Sequence, residues 1–375
     1  MFCIRPIAFF AVAGFLMDML FHSGLLVDTY FAHSVFEASQ TTQGLLGGVS
    51  AVGYAIGCLF FGPLSKHSGR RAMTIASVVG LIICFVSLMF CKSLNALLFL
   101  MLAKRFIVAM YWPALMAWLA DVSLPQNLGK SLCVFNVGWA TGNVVGAWMS
   151  GHLGEFMAAT AGGYNAQACY AASAILCVIL LAWLLLVTPR ASGIPEEGQG
   201  PLTSGGAKLF LMQGWIAHFA VFCTVALIVF MFPRLAAMPH LEISTSGQSS
   251  LHALREIISL LAFVGLYFTS VWHFRFYPVY AGLGCCAAGI LLMGFGPNYA
   301  TVLVAHCLVG LSAGIVYSIS QYYSLRLPQE KGKGSAVHEA LIGLAYAVGP
   351  AIGGLSALIG DTPRIPFASA LVPII

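Results

Sequence analysis

Seven ionisable or polar side chains lie inside stretches of sequence that are otherwise apolar: Asp18, Arg105, Asn136, Arg255, Glu256, His338 and Glu339. A charge at the centre of a membrane-crossing helix costs roughly 2.5–3.5 kcal/mol on insertion scales, so such a group is expected to face a partner or a cavity. Asp18 falls about twelve residues into one apolar run and Arg105 about eleven into another. At about 1.5 Å per residue both lie roughly 16–18 Å deep, near the middle of a bilayer. There they can pair with each other or bind a charged part of a substrate. Arg255 and Glu256 are adjacent, and neighbours on a helix point about 100° apart. They are therefore expected not to pair, with at least one looking inward. Glu256 and Glu339 are the candidates for carrying a coupling proton, since a carboxyl group in an apolar path can hold or release one near neutral pH.

Other chemistries find no support. His338-Glu339 is not a zinc protease signature, because Ile342 stands where the second histidine belongs. Gly282-x-Gly284-x-x-Ala287 mimics a dinucleotide fingerprint inside an apolar run with no strand before it, and Gly129-Lys130-Ser131 lacks the leading glycine of a phosphate loop. This argues against an ATP-driven pump and against an enzyme, and implies neither cofactor nor metal. The cysteines number eleven, but most lie in apolar runs and none forms C-x-x-C, so they read as small hydrophobes. Tyr111, Trp112, Trp139 and Tyr317 could stack on a sugar or touch an apolar solute, although membrane aromatics more often pack or anchor at interfaces.

The elements that must carry these groups follow from composition. Of 375 residues 60% are hydrophobic and 8% charged, against about a quarter charged in a soluble domain. The lipid bilayer is the solvent, and the net charge of +5 sits in short loops, where it is no sign of nucleic acid. Spans of about 20 residues are expected at 6–31, 41–63, 72–91, 95–120, 131–154 and 166–188, then at 208–232, 250–272, 276–295, 299–325 and 334–359. The first is too long and too charged for a cleaved leader. A Gly-, Pro- and Ser-bearing linker at 189–207 separates residues 1–188 from 208–375, and the apolar end, 362–375, is too short to cross, a cut-off or incomplete twelfth helix. Eleven loop cations fall on one side and three on the other. That bias puts the N-terminus and the linker in the cytoplasm.

Leu124-Pro125-Gln126 with Gly129-Lys130 returns 203 residues later as Leu327-Pro328-Gln329 with Gly332-Lys333. At the same offset Val145, Gly146 and Gly151 answer to Val348, Gly349 and Gly354, and Asn136 answers to Glu339. A parallel repeat of this kind needs an even number of spans per half, and six fits. Gly138, Gly142 and Gly146 share one helix face, suited to close packing or to a sliding contact.

Between the second and third spans the chain reads Gly62-Pro63-Leu64-Ser65-Lys66-His67-Ser68-Gly69-Arg70-Arg71. With Arg105, Pro113 and Leu119-Ala120-Asp121 in and after the fourth span, this resembles the major facilitator superfamily over the chain up to about residue 360. The resemblance implies an all-α polytopic protein, a pair of six-helix bundles with the twelfth helix incomplete or missing. It implies a secondary active transporter moving a small solute across the cytoplasmic membrane by alternating access, a monomer with H+ or Na+ as the coupling ion. It also implies a gating loop built on Gly62, Leu64, Gly69, Arg70 and Arg71. Lys66 replaces the family's usual acidic residue, which implies that the loop lacks its ion pair. Asn143 stands where the antiporter subgroup has a proline after glycine, and that pattern occurs instead at Gly349-Pro350-Ala351-Ile352-Gly353-Gly354. The competing reading is a non-transporting receptor or scaffold that keeps the fold.

Overall fold

The computed structural model describes residues 4–124, 127–161, 165–187, 205–269, 271–296, 298–326, 331–359 and 362–374. The Pro-Gln part of both loop repeats and most of the 189–207 linker lie outside these residues. Each apolar run becomes a helix, because in lipid the backbone must satisfy its own hydrogen bonds. The amino-terminal half comprises α1 (Ile4–Ser34), α2 (Gln40–Ser68), α3 (Arg70–Met89), α4 (Leu94–Val108), α5 (Tyr111–Val122), α6 (Leu128–Ala161) and α7 (Ala166–Leu186). The other half comprises α8 (Gly205–Ala236), α9 (Thr245–Tyr267), α10 (Tyr277–Phe295), α11 (Tyr299–Arg326), α12 (Lys331–Ser356) and a short α13 (Ile365–Ser369). Among the described residues ten segments are long and apolar enough to cross a membrane, α4 and α5 counting together as one. The 34-residue α6 is as long but more polar, interrupted by glycines and by Asn136 and Asn143.

Side-chain oxygens begin four of the helices on the face away from the basic loops. Ser39 accepts from the Thr42 amide at 3.2 Å, Ser93 from Ala96 at 3.2 Å, Asn165 from Ala168 at 3.0 Å and Ser244 from Gly247 at 3.1 Å. Each satisfies an amide that the first helical turn leaves free. The fourth span is broken at Ala109–Met110. Pro113, three residues on, has no N–H to give the preceding turn, and its ring crowds the carbonyl four residues back.

The corner after α2 is tighter than its sequence suggests. Helix α2 runs through Pro63 to Ser68, so most of the expected loop is helical and the reversal rests on Gly69 alone. Gly69 has φ +86°, a conformation that L side chains rarely adopt.

The repeat governs the packing. The glycine face of α6 seats α1 within its own half: Gly138 lies on the Ala11 backbone, Gly142 on Phe15 and Gly146 on Met19. Its counterpart Gly349 lies on the Cys223 backbone of α8, and Gly353 on Leu227 and Met231. The next pair in register reaches across. Gly151 meets Thr245 and Ser249 of α9, while Gly354 meets Gln40, Thr41 and Gly44 of α2, and Gly44 lies against the Pro350 carbonyl. Two long seams, α6 with α9 and α2 with α12, thus join the halves.

Candidate functional site

Between those seams lies a cavity of about 100 Å³ with a continuation of about 50 Å³. Helices of both halves line it. Asp18 and His22 come from α1, Arg105 from α4, and Trp139 and Asn143 from α6; Tyr317 comes from α11, Glu339 and Tyr346 from α12. Arg255 and Glu256 of α9 line the continuation, which shares His22, Trp139, Asn143, Tyr317 and Tyr346.

Arg105 is 5% exposed and stands between two rings, its guanidinium carbon 5.0 Å from the Phe21 centroid and 5.1 Å from that of Tyr346. Both distances suit a cation–π contact. Its Nη2 has no hydrogen-bond partner. Asp18 is buried as well, and it makes neither an ion pair nor a hydrogen bond among the described residues. Asp18 and Arg105 therefore share a cavity without sharing a bond. Across the seam, the Tyr54 hydroxyl of α2 donates to Glu339 of α12, so one carboxylate is tied to the opposite half.

Arg255 and Glu256 do pair, contrary to the expectation from their adjacency. Nε and Nη2 of Arg255 donate to Oε1 of Glu256 at 3.0 and 2.6 Å. The 100° between neighbouring helix positions separates Cβ directions, but the long arginine stem folds back to its neighbour. With both groups buried, an ion pair replaces the water that each has lost. Arg255 Nη1 is left without a partner.

Asn136 and His338 do not line the cavity. Asn136 donates to Gln321 of α11 at 2.9 Å and accepts from the Trp139 indole at 2.9 Å, joining the halves on the side nearer the basic loops. His338 Nδ1 lies 2.9 Å from Ser320 Oγ, and its ring is 4.6 Å from that of His218. Of the four aromatics singled out above, Trp112, Trp139 and Tyr317 line the cavity, whereas the Tyr111 hydroxyl donates to the Ala13 carbonyl at 3.0 Å.

Two features escaped sequence reasoning. Lys104, next to Arg105, turns away from the cavity to Asp28 of α1 at 2.5 Å, and Tyr170 of α7 donates to the same carboxylate at 3.0 Å. Both charges lie within apolar runs, so the signal that picked out Asp18 and Arg105 was present for them too. Tyr54 carries no such signal, because one tyrosine in an apolar helix looks like packing.

At the basic corner Gly62 is buried, its carbonyl accepting from Ser65 Oγ at 2.6 Å, and Leu64 is exposed. An ion pair is present despite Lys66: Arg70 reaches Asp121 at the end of α5 at 2.9 Å. Arg71 donates to the Leu184 and Leu185 carbonyls of α7 at 2.8 and 3.0 Å. The corner of α2 and α3 is thereby tied to the ends of two helices of its own half.

Hydrogen bonds between the halves lie on both sides of the cavity. Nearer the basic loops these are Asn136–Gln321 and Ser335 Oγ to the Pro113 carbonyl at 3.2 Å. Nearer the other face, Ser249 Oγ is 3.1 Å from the Tyr30 hydroxyl and 3.2 Å from Ser150 Oγ, and the Ser246 amide donates to Glu155 at 2.8 Å.

The family model described as Major Facilitator Superfamily matches residues 7–354. No curated protein matches the sequence. Among solved structures, the human organic anion transporter MFSD10 (TETRAN) superposes with a TM-score of 0.66 at 16% identity, covering 99% of this chain and 98% of that one. A bacterial homologue of the human lysosomal transporter Spinster, inward-facing and unoccupied, gives 0.68 at 16% identity, covering 100% and 93%. Its inward-facing, occupied form gives 0.67 at 16% identity, covering 94% and 81%. At such identities the likeness is one of fold.

Proposed function

Since the chain belongs to the Major Facilitator Superfamily, we propose that it is a secondary active transporter that carries a small solute across a membrane by alternating access. The observation that carries this reading is the central cavity, which takes Asp18 and Arg105 from one half and Glu339 from the other. A site assembled from both halves changes its access when one half rocks against the other. The interhalf hydrogen bonds on each side of it are the contacts that such rocking would break in turn.

Glu339 is our candidate for the coupling proton, with Glu256 as the second. Glu339 is hydrogen-bonded to Tyr54 across the seam, so its protonation bears directly on a bond between the halves. The corner at Gly62, Leu64, Gly69, Arg70 and Arg71 is the candidate gating loop, and Gly354 with Gly44 and Gly151 with Ser249 are candidate points about which the halves pivot. The excess of cations on one face supports a cytoplasmic N-terminus and linker in a cytoplasmic membrane.

The test is flux in proteoliposomes. A panel of small solutes offered under imposed proton or sodium gradients should include one that accumulates. Arg105→Gln and Glu339→Gln should each abolish gradient-driven accumulation without loss of folded protein. Absence of flux of every solute under either gradient would sink the transporter reading in favour of a receptor or scaffold.

A further inference from the structure

The cavity holds an arginine and an aspartate that are buried, of opposite sign, and unpaired with each other or with any described residue. Isolated buried charges of this sort are costly, and proteins normally pair them. Here the means of pairing is absent. Arg105 is held off by its stacking between Phe21 and Tyr346, and Asp18 projects from another helix. Between them the wall is largely aromatic, with Trp112, Trp139 and Tyr317.

We infer that the site takes a small zwitterion, its anionic group on Arg105, its ammonium group on Asp18, and a flat apolar spacer among the aromatic side chains. This rests on the transporter reading and narrows its substrate. Each charge answers one of the two unpaired side chains, Arg105 and Asp18, that line the cavity. A lone anion would leave Asp18 unanswered, whereas a lone cation would leave Arg105 unanswered. The size limits the ligand to about one ring: the cavity and its continuation, about 100 and 50 Å³, compare with the roughly 150 Å³ that accepts benzene. The spacer follows from geometry, because two side chains that do not touch need a ligand whose charges are also apart.

Three probes with one ring and different charges test this on the full chain in detergent by calorimetry. They are 4-(aminomethyl)benzoate, 4-methylbenzoate and 4-methylbenzylamine. The first should bind at least tenfold more tightly than either of the others. Arg105→Gln should bring it down to the affinity of the amine while leaving the amine within twofold of its former value. Asp18→Asn should bring it down to the affinity of the acid. Arg105→Lys, which keeps the charge but not the planar fork, should retain part of the preference. Equal binding of the acid and the zwitterion, equal binding of the amine and the zwitterion, or no binding of any probe would each overturn the inference, and the wild-type protein alone suffices to read those outcomes. Flux of an unrelated solute alongside such a result leaves transport standing. Tight zwitterion binding with no flux would instead remove transport and keep the site.

Discussion

Asp28 with Lys104, and Arg255 with Glu256, are both buried ion pairs within helices that cross the membrane, one in each half, yet they are finished to different degrees. The first is complete. Lys104 Nζ takes Asp28 Oδ2 at 2.5 Å and the Gly24 carbonyl at 3.3 Å, Tyr170 caps Asp28 Oδ1 at 3.0 Å, and the ion-pair side chains are 1% and 2% exposed. Three helices, α1, α4 and α7, are pinned by it. The second joins two neighbours on α9, faces the cavity, and leaves Arg255 Nη1 without a partner. A completed network holds the fold, and an incomplete one keeps bonding capacity for something that comes and goes. The same contrast recurs one residue apart on α4, where Lys104 closes the structural network and Arg105 stays open to the cavity.

The contrast fails unless breaking the first pair harms stability most. Removing one member of a buried pair leaves a charge with no counterpart and costs about 3–5 kcal/mol. Asp28→Asn should therefore lower the melting temperature sharply, or leave no folded protein after extraction in detergent, as followed by size-exclusion chromatography. Replacing both, as Asp28→Leu with Lys104→Met, should recover most of the loss, since apolar residues of similar volume often replace such a pair at little cost. Failure of the double variant to recover would mean that Tyr170, rather than the charge, carries the network.

A smaller effect on stability, joined to a larger one on ligand, is expected from the second pair. Glu256→Gln keeps a hydrogen-bond acceptor for Arg255. The loss should be about 1.5–3 kcal/mol, in line with one hydrogen bond to a charged group, while binding in the central cavity shifts by tenfold or more. Thermal unfolding with and without ligand separates the two. A stability loss equal to that of Asp28→Asn would erase the distinction drawn between the halves.

Much of this architecture was legible in the apolar runs, because a span needs length and hydrophobicity and the chain supplies both. The duplication was legible too: glycines 203 residues apart, Gly146 with Gly349 and Gly151 with Gly354, pack as equivalents in the folded chain. What could not be read was rotation about each helix axis. Lys104 and Arg105 look alike in sequence, and only the packing of α1 and α7 decides which one finds an aspartate. Adjacency was misleading for Arg255 and Glu256 because side-chain reach, not Cβ direction, settles the pairing. The corner at Gly69 was read too broadly, since the second span was ended at residue 63 whereas α2 continues through Pro63 to Ser68. Tyr54 was invisible because its role depends on Glu339, 285 residues away.

The third ion pair sets the lower end of the scale. Arg70 and Asp121 are 2.9 Å apart, but the Asp121 side chain is 47% exposed, and pairs so open to water contribute about 0.2–1 kcal/mol. Asp121→Asn should accordingly change the melting temperature little. If the corner also gates, the same variant should alter the rate of flux by severalfold at unchanged stability, because the pair ties α3 to the end of α5 on the basic face. Raising the salt concentration should mimic the substitution for Arg70–Asp121, since an exposed pair is screened within a Debye length of about 8–10 Å. It should leave Asp28–Lys104 untouched. Equal sensitivity of the two pairs to salt would mean that water reaches the inner one, and the ordering from sealed to open would no longer hold.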